Sequence, residues 1–270
     1  MTAQATGAMN QLQQQMDITA HNLANSNTTG YKERQVEFSE LMSQHLNNLT
    51  PAAQTGPRLT PDGIREGIGA RLGAVNSNTQ LGSIQETDRD LDSVLLNEQH
   101  YFQVQVEENG QQEIQYTRDG SFYLQPVANG TDMMLVTSEG HPIQGTNGVI
   151  QFSADQVDHL QIADNGDIIV QRAGESEVVG SLAITNIPMS RSLETVGENR
   201  FRVPEGIEIE GIAQAVQGED RMLQSGALEQ SNVSTQEQMT QLISAQRAYQ
   251  FNARTVTMSD QMQGLINQLR

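Results

Sequence analysis

The 270-residue chain contains no cysteine and no tryptophan, and only 4% of its residues are aromatic. Without cysteine there is no disulfide framework and no thiol chemistry, which fits either the cytosol or an extracellular filament that avoids redox dependence. No apolar run approaches the roughly 18 residues of a transmembrane helix, so we expect no such helix. The first 30 residues lack a basic start followed by an apolar block. We therefore expect no cleavable secretory signal.

Basic residues are scarce, since 15 Lys and Arg oppose 33 Asp and Glu. Residues 1–50 hold four of the acids and two of the bases, and residues 225–270 hold three of each, which leaves 26 acids and 10 bases in residues 51–224. So acidic a middle repels phosphate, and neither nucleic acid nor an anionic membrane is an expected partner. Lys32 is the only lysine. Biased base composition explains this more simply than an alkaline habitat, and both explanations stay open.

Motifs of catalytic or metal-binding sites are incomplete or missing. Asp88 to Asp92 resembles half of a calcium loop, but Ser93 and Gln99 replace the glycine and the bidentate glutamate that such a loop requires. Gly67 to Gly73 is one residue off a dinucleotide fingerprint and follows no apolar strand. The five histidines lack metal-ligand spacing, and no nucleophile elbow occurs. We therefore expect no enzyme activity, no cofactor and no metal.

Each end of the chain carries a helical pattern. Residues 1–50 are predicted to form an N-terminal helical arm with helices near 3–25 and 33–48, and residues 225–270 a C-terminal helical arm that starts at the capping box Ser234 to Glu237. Apolar residues at alternating spacings of three and four are typical of helices that pack in a coiled coil. The predicted assembly seam consists of Met9, Leu12, Met16, Leu23, Met239, Leu242, Tyr249, Val256, Met262, Leu265 and Leu269.

The middle of the chain has a period of two. Phe102, Val104 and Val106 alternate with polar residues, and Asn109-Gly110 is a turn signal. Residues 79–224 are therefore predicted to form an antiparallel β-rich outer domain. Residues 51–78 contain three prolines and five glycines and are predicted to form an extended connector. The predicted fold class is α+β, with a β-rich middle domain inserted between N- and C-terminal helices that form a coiled-coil arm.

Several short motifs resemble one family. Two segments, one at the end of the first predicted helix and one just after it, are similar to the N-terminal signature of bacterial flagellar rod and hook proteins. Three segments near the end of the chain are similar to their C-terminal signature. Three central segments resemble motifs of the rod subclass. In chain order these motifs are His21–Asn25, Asn27–Lys32, Tyr116–Phe122, Gly140–Gly145, Gly197–Phe201, Gly226–Val233, Ser244–Gln250 and Asp260–Met262.

The resemblance implies a structural axial component of the flagellar basal body that polymerises into the distal rod and transmits torque to the hook. It implies copies of itself, other rod and hook proteins and the flagellar type III export apparatus as partners. It also implies a location outside the cytoplasmic membrane, reached without a cleavable signal peptide and without membrane insertion. Phe38 and Met42 fit the family's export-gate motif, although one face of an amphipathic helix has the same spacing.

Two alternatives remain at this point. Within the family, the chain is a proximal rod or hook subunit instead of a distal rod subunit. Outside the family, it is a secreted β-rich adhesin or a carbohydrate-acting protein with helical appendages. A carbohydrate-acting enzyme requires a pair of carboxylates in a cleft, and the sequence pairs no two of its acids.

Overall fold

The computed structural model describes residues 2–40, 44–46, 64–66, 70–108, 110–127, 130–197, 199–204, 213–216 and 221–268. The chain divides into two units. The terminal unit contains Met1–Leu23, Arg34–Asn76 and Thr235–Arg270, and the central unit contains Ala24–Glu33 and Ser77–Ser234. The four-part division proposed from the sequence, with boundaries after residues 50, 78 and 224, stays a prediction.

Long helices occupy both ends of the chain, and short strands fill the rest. The elements in chain order are α1 (Thr2–Ala24), β1 (Arg34–Glu40), β2 (Gln44–Leu46), β3 (Ile64–Glu66), β4 (Ala70–Ser77), β5 (Ile84–Glu86), β6 (Ser93–Leu95), β7 (His100–Glu108), β8 (Gln111–Thr117), β9 (Phe122–Pro126), β10 (Asp132–Thr137), β11 (Gln144–Gly145), β12 (Gly148–Val149), β13 (Gln151–Ser153), β14 (Val157–Ile162), β15 (Asp167–Arg172), β16 (Glu175–Ser181), β17 (Ile184–Asn186), β18 (Glu194–Val196), β19 (Arg200–Arg202), β20 (Gln214–Val216), β21 (Leu223–Ser225), β22 (Ala227–Glu229) and α2 (Thr235–Gln268).

The terminal unit contains both predicted terminal helices. Helix α2 begins at Thr235, directly after Ser234, as the capping box predicts. In the same unit, Asn22 of α1 donates a hydrogen bond to the Gln238 side chain of α2 (3.2 Å). The Asn22 side chain also exchanges two hydrogen bonds of 2.9 Å with the backbone of Arg34 at the start of β1. A polar side chain therefore connects α1, α2 and β1, while the coiled-coil arrangement itself stays a prediction.

The predicted second helix over residues 33–48 is wrong. Residues Arg34–Glu40 form β1, which pairs with β4, and β2 pairs with β3 in antiparallel register. The segment contains Val36 and Phe38 at a spacing of two, which suits a strand, beside apolar residues at a spacing of four, which suits a helix. Whether such a short segment becomes a helix or a strand depends on pairing with a partner strand, since intrinsic helix and strand propensities are weak. Strands β3 and β4 also lie within the predicted connector, 51–78.

The central unit is built from antiparallel sheets, as the period of two predicts. The largest sheet has the strand order β18-β19-β8-β7-β17-β20. Two three-stranded sheets have the orders β13-β10-β9 and β14-β15-β16. Strand β7 places Phe102, Val104 and Val106 in the interior, and it pairs with β8 over seven residue pairs from Phe102↔Thr117 to Glu108↔Gln111. The inward alternation along β7 thus sets the register of the largest sheet.

Two apolar clusters hold the central unit together. The larger one joins residues of the three sheets, among them Phe102, Leu135 and Ile168, all fully buried. In it, the rings of Phe102 and Phe122 meet edge to face at 5.2 Å. A smaller cluster contains Tyr101, Tyr116, Ile187 and Phe201. Burial of this apolar surface is the main stabilising contribution to such a unit.

Candidate functional site

Two segments that are far apart in sequence meet inside the central unit. One is the segment 25–33 that follows α1, and the other is the segment 226–234 that precedes α2. The Gly30 N–H donates to the Glu229 carbonyl oxygen (2.9 Å), and the Glu33 N–H donates to the Asn232 side chain (2.7 Å). Asn232 in turn donates to the carbonyl oxygen of Asn78 (2.9 Å). The N-terminal and C-terminal motifs of the chain are therefore in direct contact.

The contact between these segments is centred on three charged side chains, which we call the charge cluster: Lys32, Arg118 and Glu229. Lys32 Nζ donates to Glu229 Oε1 at 2.6 Å, and Arg118 Nε donates to Glu229 Oε2 at 2.9 Å. The Gly82 N–H also donates to Glu229 Oε1, at 2.9 Å. All three residues are buried, with at most 3% of each exposed. One carboxylate therefore serves two buried cations.

The remaining donors of Arg118 bind backbone carbonyl groups around the start of β7. Its Nη1 donates to the carbonyl oxygens of Asn97, Glu98 and His100, and its Nη2 donates to that of Leu95. A buried guanidinium is tolerated only when its hydrogens find acceptors. Arg118 meets this condition, and it thereby links β6 and β7 to the two terminal segments.

The cluster changes the acidity of two of its members. Burial by itself would raise the pKa of Glu229, but the charges of Arg118 and Lys32, with hydrogen bonds from Lys32 and Gly82, hold it below its usual value. Burial lowers the pKa of Lys32 from 10.5 to about 8, and the charge of Arg118 acts in the same direction. The carboxylate is thus held in its ionised form, whereas the lysine loses its proton more easily than an exposed one.

Glycine is required where the backbones approach each other beside the cluster. Gly30 has a φ of +67°, and a Cβ there would lie 2.7 Å from the Arg118 carbonyl carbon. A Cβ on Gly82 would overlap the carbonyl oxygen of Gln230. Thr29, next to Gly30, donates to the Asp119 carboxylate (2.9 Å). The glycines in these motifs therefore allow close contact between main chains.

The structure places the predicted seam residues of α2 on two different faces of that helix. One face is half-buried or buried at alternating spacings of four and three. It consists of Gln238, Leu242, Ala245, Tyr249, Asn252, Val256 and Ser259. Leu242, Tyr249 and Val256 belong to the predicted seam. In α1 the predicted residues Met9, Leu12, Met16 and Leu23 are half-buried. Leu12 lines a shallow groove together with Ala245.

The opposite face of α2 exposes a stripe of large apolar side chains, which we call the outer stripe. At 100° per residue most of its members lie on the side away from the half-buried face, with Met239 and Ile266 at the two edges of the stripe. Phe251 is the most exposed of them, at 70%. The outer stripe consists of Met239, Ile243, Phe251, Met258, Met262, Leu265 and Ile266. Met239, Met262 and Leu265 were predicted as seam residues. The role of either face in assembly stays a prediction.

Three predicted residues give no further information at the site. Leu269 and Met42 lie outside the described residues, and Phe38 lies in β1.

Among the described residues, no group of three or more His, Asp or Glu is placed to hold a metal ion. No described helix is long and apolar enough to cross a membrane.

The charge cluster itself was not predicted from the sequence. Lys32, Arg118 and Glu229 each lie inside a motif that we quoted, but no role was assigned to them. The signal that could have pointed to the cluster is the single lysine, because Lys32 stands alone among 14 arginines and a lysine shifts its pKa readily when buried.

Three family models match the chain. The model "Flagella basal body rod protein" matches residues 4–32, "Flagellar hook protein FlgE/F/G D1 domain" matches 95–170, and "Flagellar basal body rod FlgEFG protein C-terminal" matches 224–269. The first match ends at Lys32, and the other two contain Arg118 and Glu229 respectively. Each member of the charge cluster thus lies in a region that the family models describe.

Curated relatives match along nearly the whole chain. The flagellar hook-basal body complex protein FlhP of Bacillus subtilis is 39% identical over 98% of this chain and 97% of its own length. The flagellar basal-body rod protein FlgG of Buchnera aphidicola subsp. Acyrthosiphon pisum is 32% identical over 94% of this chain and 93% of its own. FlgG of Bacillus subtilis is 31% identical over 96% of this chain and 95% of its own length.

Proposed function

Because the chain belongs to the flagellar basal-body rod protein family, we propose that it is a structural axial component of the basal body that polymerises into the distal rod. In this role it transmits torque to the hook. The observation that carries the proposal is the 39% identity to FlhP along 98% of the chain. A position in the proximal rod or the hook is the alternative, since the relatives include both rod and hook-basal body proteins by name.

The two faces of α2 support polymerisation. One face is partly covered within the subunit, and the outer stripe presents seven large apolar side chains to solvent. An apolar stripe of this length is unfavourable in water unless another surface covers it. We assign the cover to the terminal helices of further copies, which then form a coiled-coil inner layer. The predicted seam residues of both helices take part in this layer.

The distribution of charge also fits a polymer of copies. Residues 225–270 carry three acids and three bases, so neighbouring C-terminal helices do not repel one another. Residues 51–224 carry a net charge of −16, which favours solvent over close contact between copies. We therefore assign the neutral C-terminal helices to the contacts between copies, and residues 51–224 to the solvent side of the polymer.

Deletion of the gene tests the proposed function. A strain without this chain is expected not to swarm, and the wild-type gene supplied in trans restores swarming. Full motility of the deletion strain contradicts the proposal.

The expected partners are copies of this chain, other rod and hook proteins and the flagellar type III export apparatus, with the basal body as its location.

We propose further that Phe38, with Met42, is read by the export apparatus. Replacing Phe38 with alanine then lowers the amount of secreted protein while its cytoplasmic level stays the same. The control is Val36→Ala, two residues earlier in β1, which is expected to be secreted normally. Immunoblots of medium and cell fractions measure both. Secretion of Phe38→Ala at the wild-type level would leave Phe38 with a packing role only.

A further inference from the structure

The amine of Lys32 has two hydrogen-bond acceptors. Among the described residues, Nζ donates to Glu229 Oε1 and to the carbonyl oxygen of Gln80, each at 2.6 Å. A charged ammonium carries three N–H donors, whereas a neutral amine carries two. The side chain is 1% exposed. An ammonium here therefore has one N–H without an acceptor among the described residues, which adds to the cost of burying its charge.

The charges around the amine add to this cost. The ionisable groups that act on it are Arg118 after β8, Glu229 in β22 and Glu98 between β6 and β7. Glu98 is exposed, so its attraction is screened. With an ammonium the buried cluster holds two cations and one carboxylate, a net charge of +1. With a neutral amine the cluster is neutral, which is less costly to bury.

We propose that Lys32 is a proton-linked switch of the charge cluster: the folded central unit holds the lysine proton less tightly than the unfolded chain does, so folding releases a proton at alkaline pH and becomes more favourable as the pH rises. The proposal concerns the folding of the central unit and does not depend on a role in the rod.

The direction of the pH effect follows from the two pKa values of Lys32. Burial, assisted by Arg118, lowers the folded pKa to about 8, whereas the ordinary value is 10.5. Between these values the unfolded chain binds more protons, so stability rises with pH. The contribution is complete above 10.5 and is lost as the pH falls through about 8. The gap of about 2.5 corresponds to about a 300-fold change in the folding equilibrium constant.

Two tyrosines act in the opposite direction at higher pH. Burial raises the pKa of Tyr101 and of Tyr116 above 10.0. Their contribution to stability is present below 10.0 and is lost as the pH rises through their folded pKa values. The tyrosines are the same in the wild type and in a Lys32 variant, so their effect cancels in the ratio of the two folding constants.

The single lysine makes a direct titration possible. Labelling the full chain with lysine that carries ¹³C at Cε gives one labelled side chain, because Lys32 is the only lysine. Its chemical shift follows the protonation of Nζ. We expect a midpoint near 8 in the folded chain and near 10.5 in the chain unfolded in urea. A folded midpoint of 10 or above overturns the proposal, whatever the variants do.

Replacing the lysine tests the linkage to folding. In Lys32→Met no proton can be gained at this position, so its folding equilibrium constant lacks the contribution that rises with pH. We expect the ratio of wild-type to Lys32→Met folding constants to increase at least tenfold between pH 7.5 and pH 10 in urea titrations of the full chain. Lys32→Arg, which keeps a charge throughout, supplies the matched control and lacks the rise as well. A constant or falling ratio overturns the proposal.

Discussion

Replacing Glu229 with glutamine lowers the free energy of unfolding of the central unit by about 3–5 kcal/mol, because it leaves buried cations without their carboxylate. Glutamine has the same shape but only one acceptor oxygen. Its amide NH₂ group would have to face either Lys32 Nζ or Arg118 Nε, both of which are donors in the native cluster. The loss is measured in urea unfolding of the full chain, followed by the far-ultraviolet circular dichroism of its β-sheets.

The matched control is Glu194→Gln. Glu194 Oε2 accepts a hydrogen bond from Arg202 Nε at 2.9 Å, the same distance and the same atoms as between Glu229 and Arg118. The side chain of Glu194 is 52% exposed, however, and that of Glu229 only 2%. Exposed ion pairs contribute about 0–1 kcal/mol, so the control is expected to unfold almost as the wild type does. Equal losses of unfolding free energy in the two variants would mean that burial does not make the Glu229 ion pairs more important for stability than an exposed ion pair.

Replacing Phe251 with aspartate abolishes motility and leaves the stability of the isolated chain unchanged. Phe251 is 70% exposed in the subunit, so the substitution removes almost no contact there. In the polymer we expect its side chain to be covered by another copy, where burial of an aromatic ring contributes about 1.5–3 kcal/mol per subunit. An aspartate in the same place adds an unpaired charge that must lose its water. Every subunit repeats this loss.

The test combines thermal unfolding of the purified chain with swarming of a complemented deletion strain. Phe251→Leu keeps an apolar side chain and is expected to swarm. An unfolding temperature several degrees lower in Phe251→Asp would show that the residue supports the subunit itself. Normal swarming of Phe251→Asp would show that the outer stripe does not face a neighbour.

Local patterns in the sequence were sufficient to predict the helices and much of the β-rich middle. The capping box at Ser234 marks the start of α2, and the alternation of Phe102, Val104 and Val106 marks β7. Each of these signals is contained within a few consecutive residues, so no tertiary contact is needed to recognise it. Strand β1 was misread because its spacing of apolar residues fits a helix as well, and its pairing with β4 is a long-range contact.

The arrangement of α2 shows a second limit of pattern reading. The predicted seam joined Met239 to Leu242, whereas the half-buried face contains the polar Gln238 in place of Met239. The Gln238 side chain is buried, and its amide oxygen accepts a hydrogen bond from Asn22 of α1, which satisfies that polar group. Since apolar residues lie on both sides of α2, hydrophobicity alone cannot separate a face covered within the subunit from one left exposed. Leu242 lies on the half-buried face, so its substitution cannot separate folding from assembly.

The charge cluster was beyond sequence reasoning for a different reason. Lys32 and Glu229 are 197 residues apart, and Arg118 is 111 residues from Glu229. No periodicity or spacing relates residues at such separations, and a chain with 33 acids offers many partners for each cation. Only the folded central unit shows which carboxylate the two cations share.

Electron microscopy of basal bodies from a strain that lacks this chain tests the central claim most directly. The account predicts rods that stop short and carry no hook. Complementation with the wild-type gene or with Phe251→Leu restores full-length rods, and Phe251→Asp does not. Basal bodies with rods of wild-type length in the deletion strain would contradict the claim that this chain builds the rod.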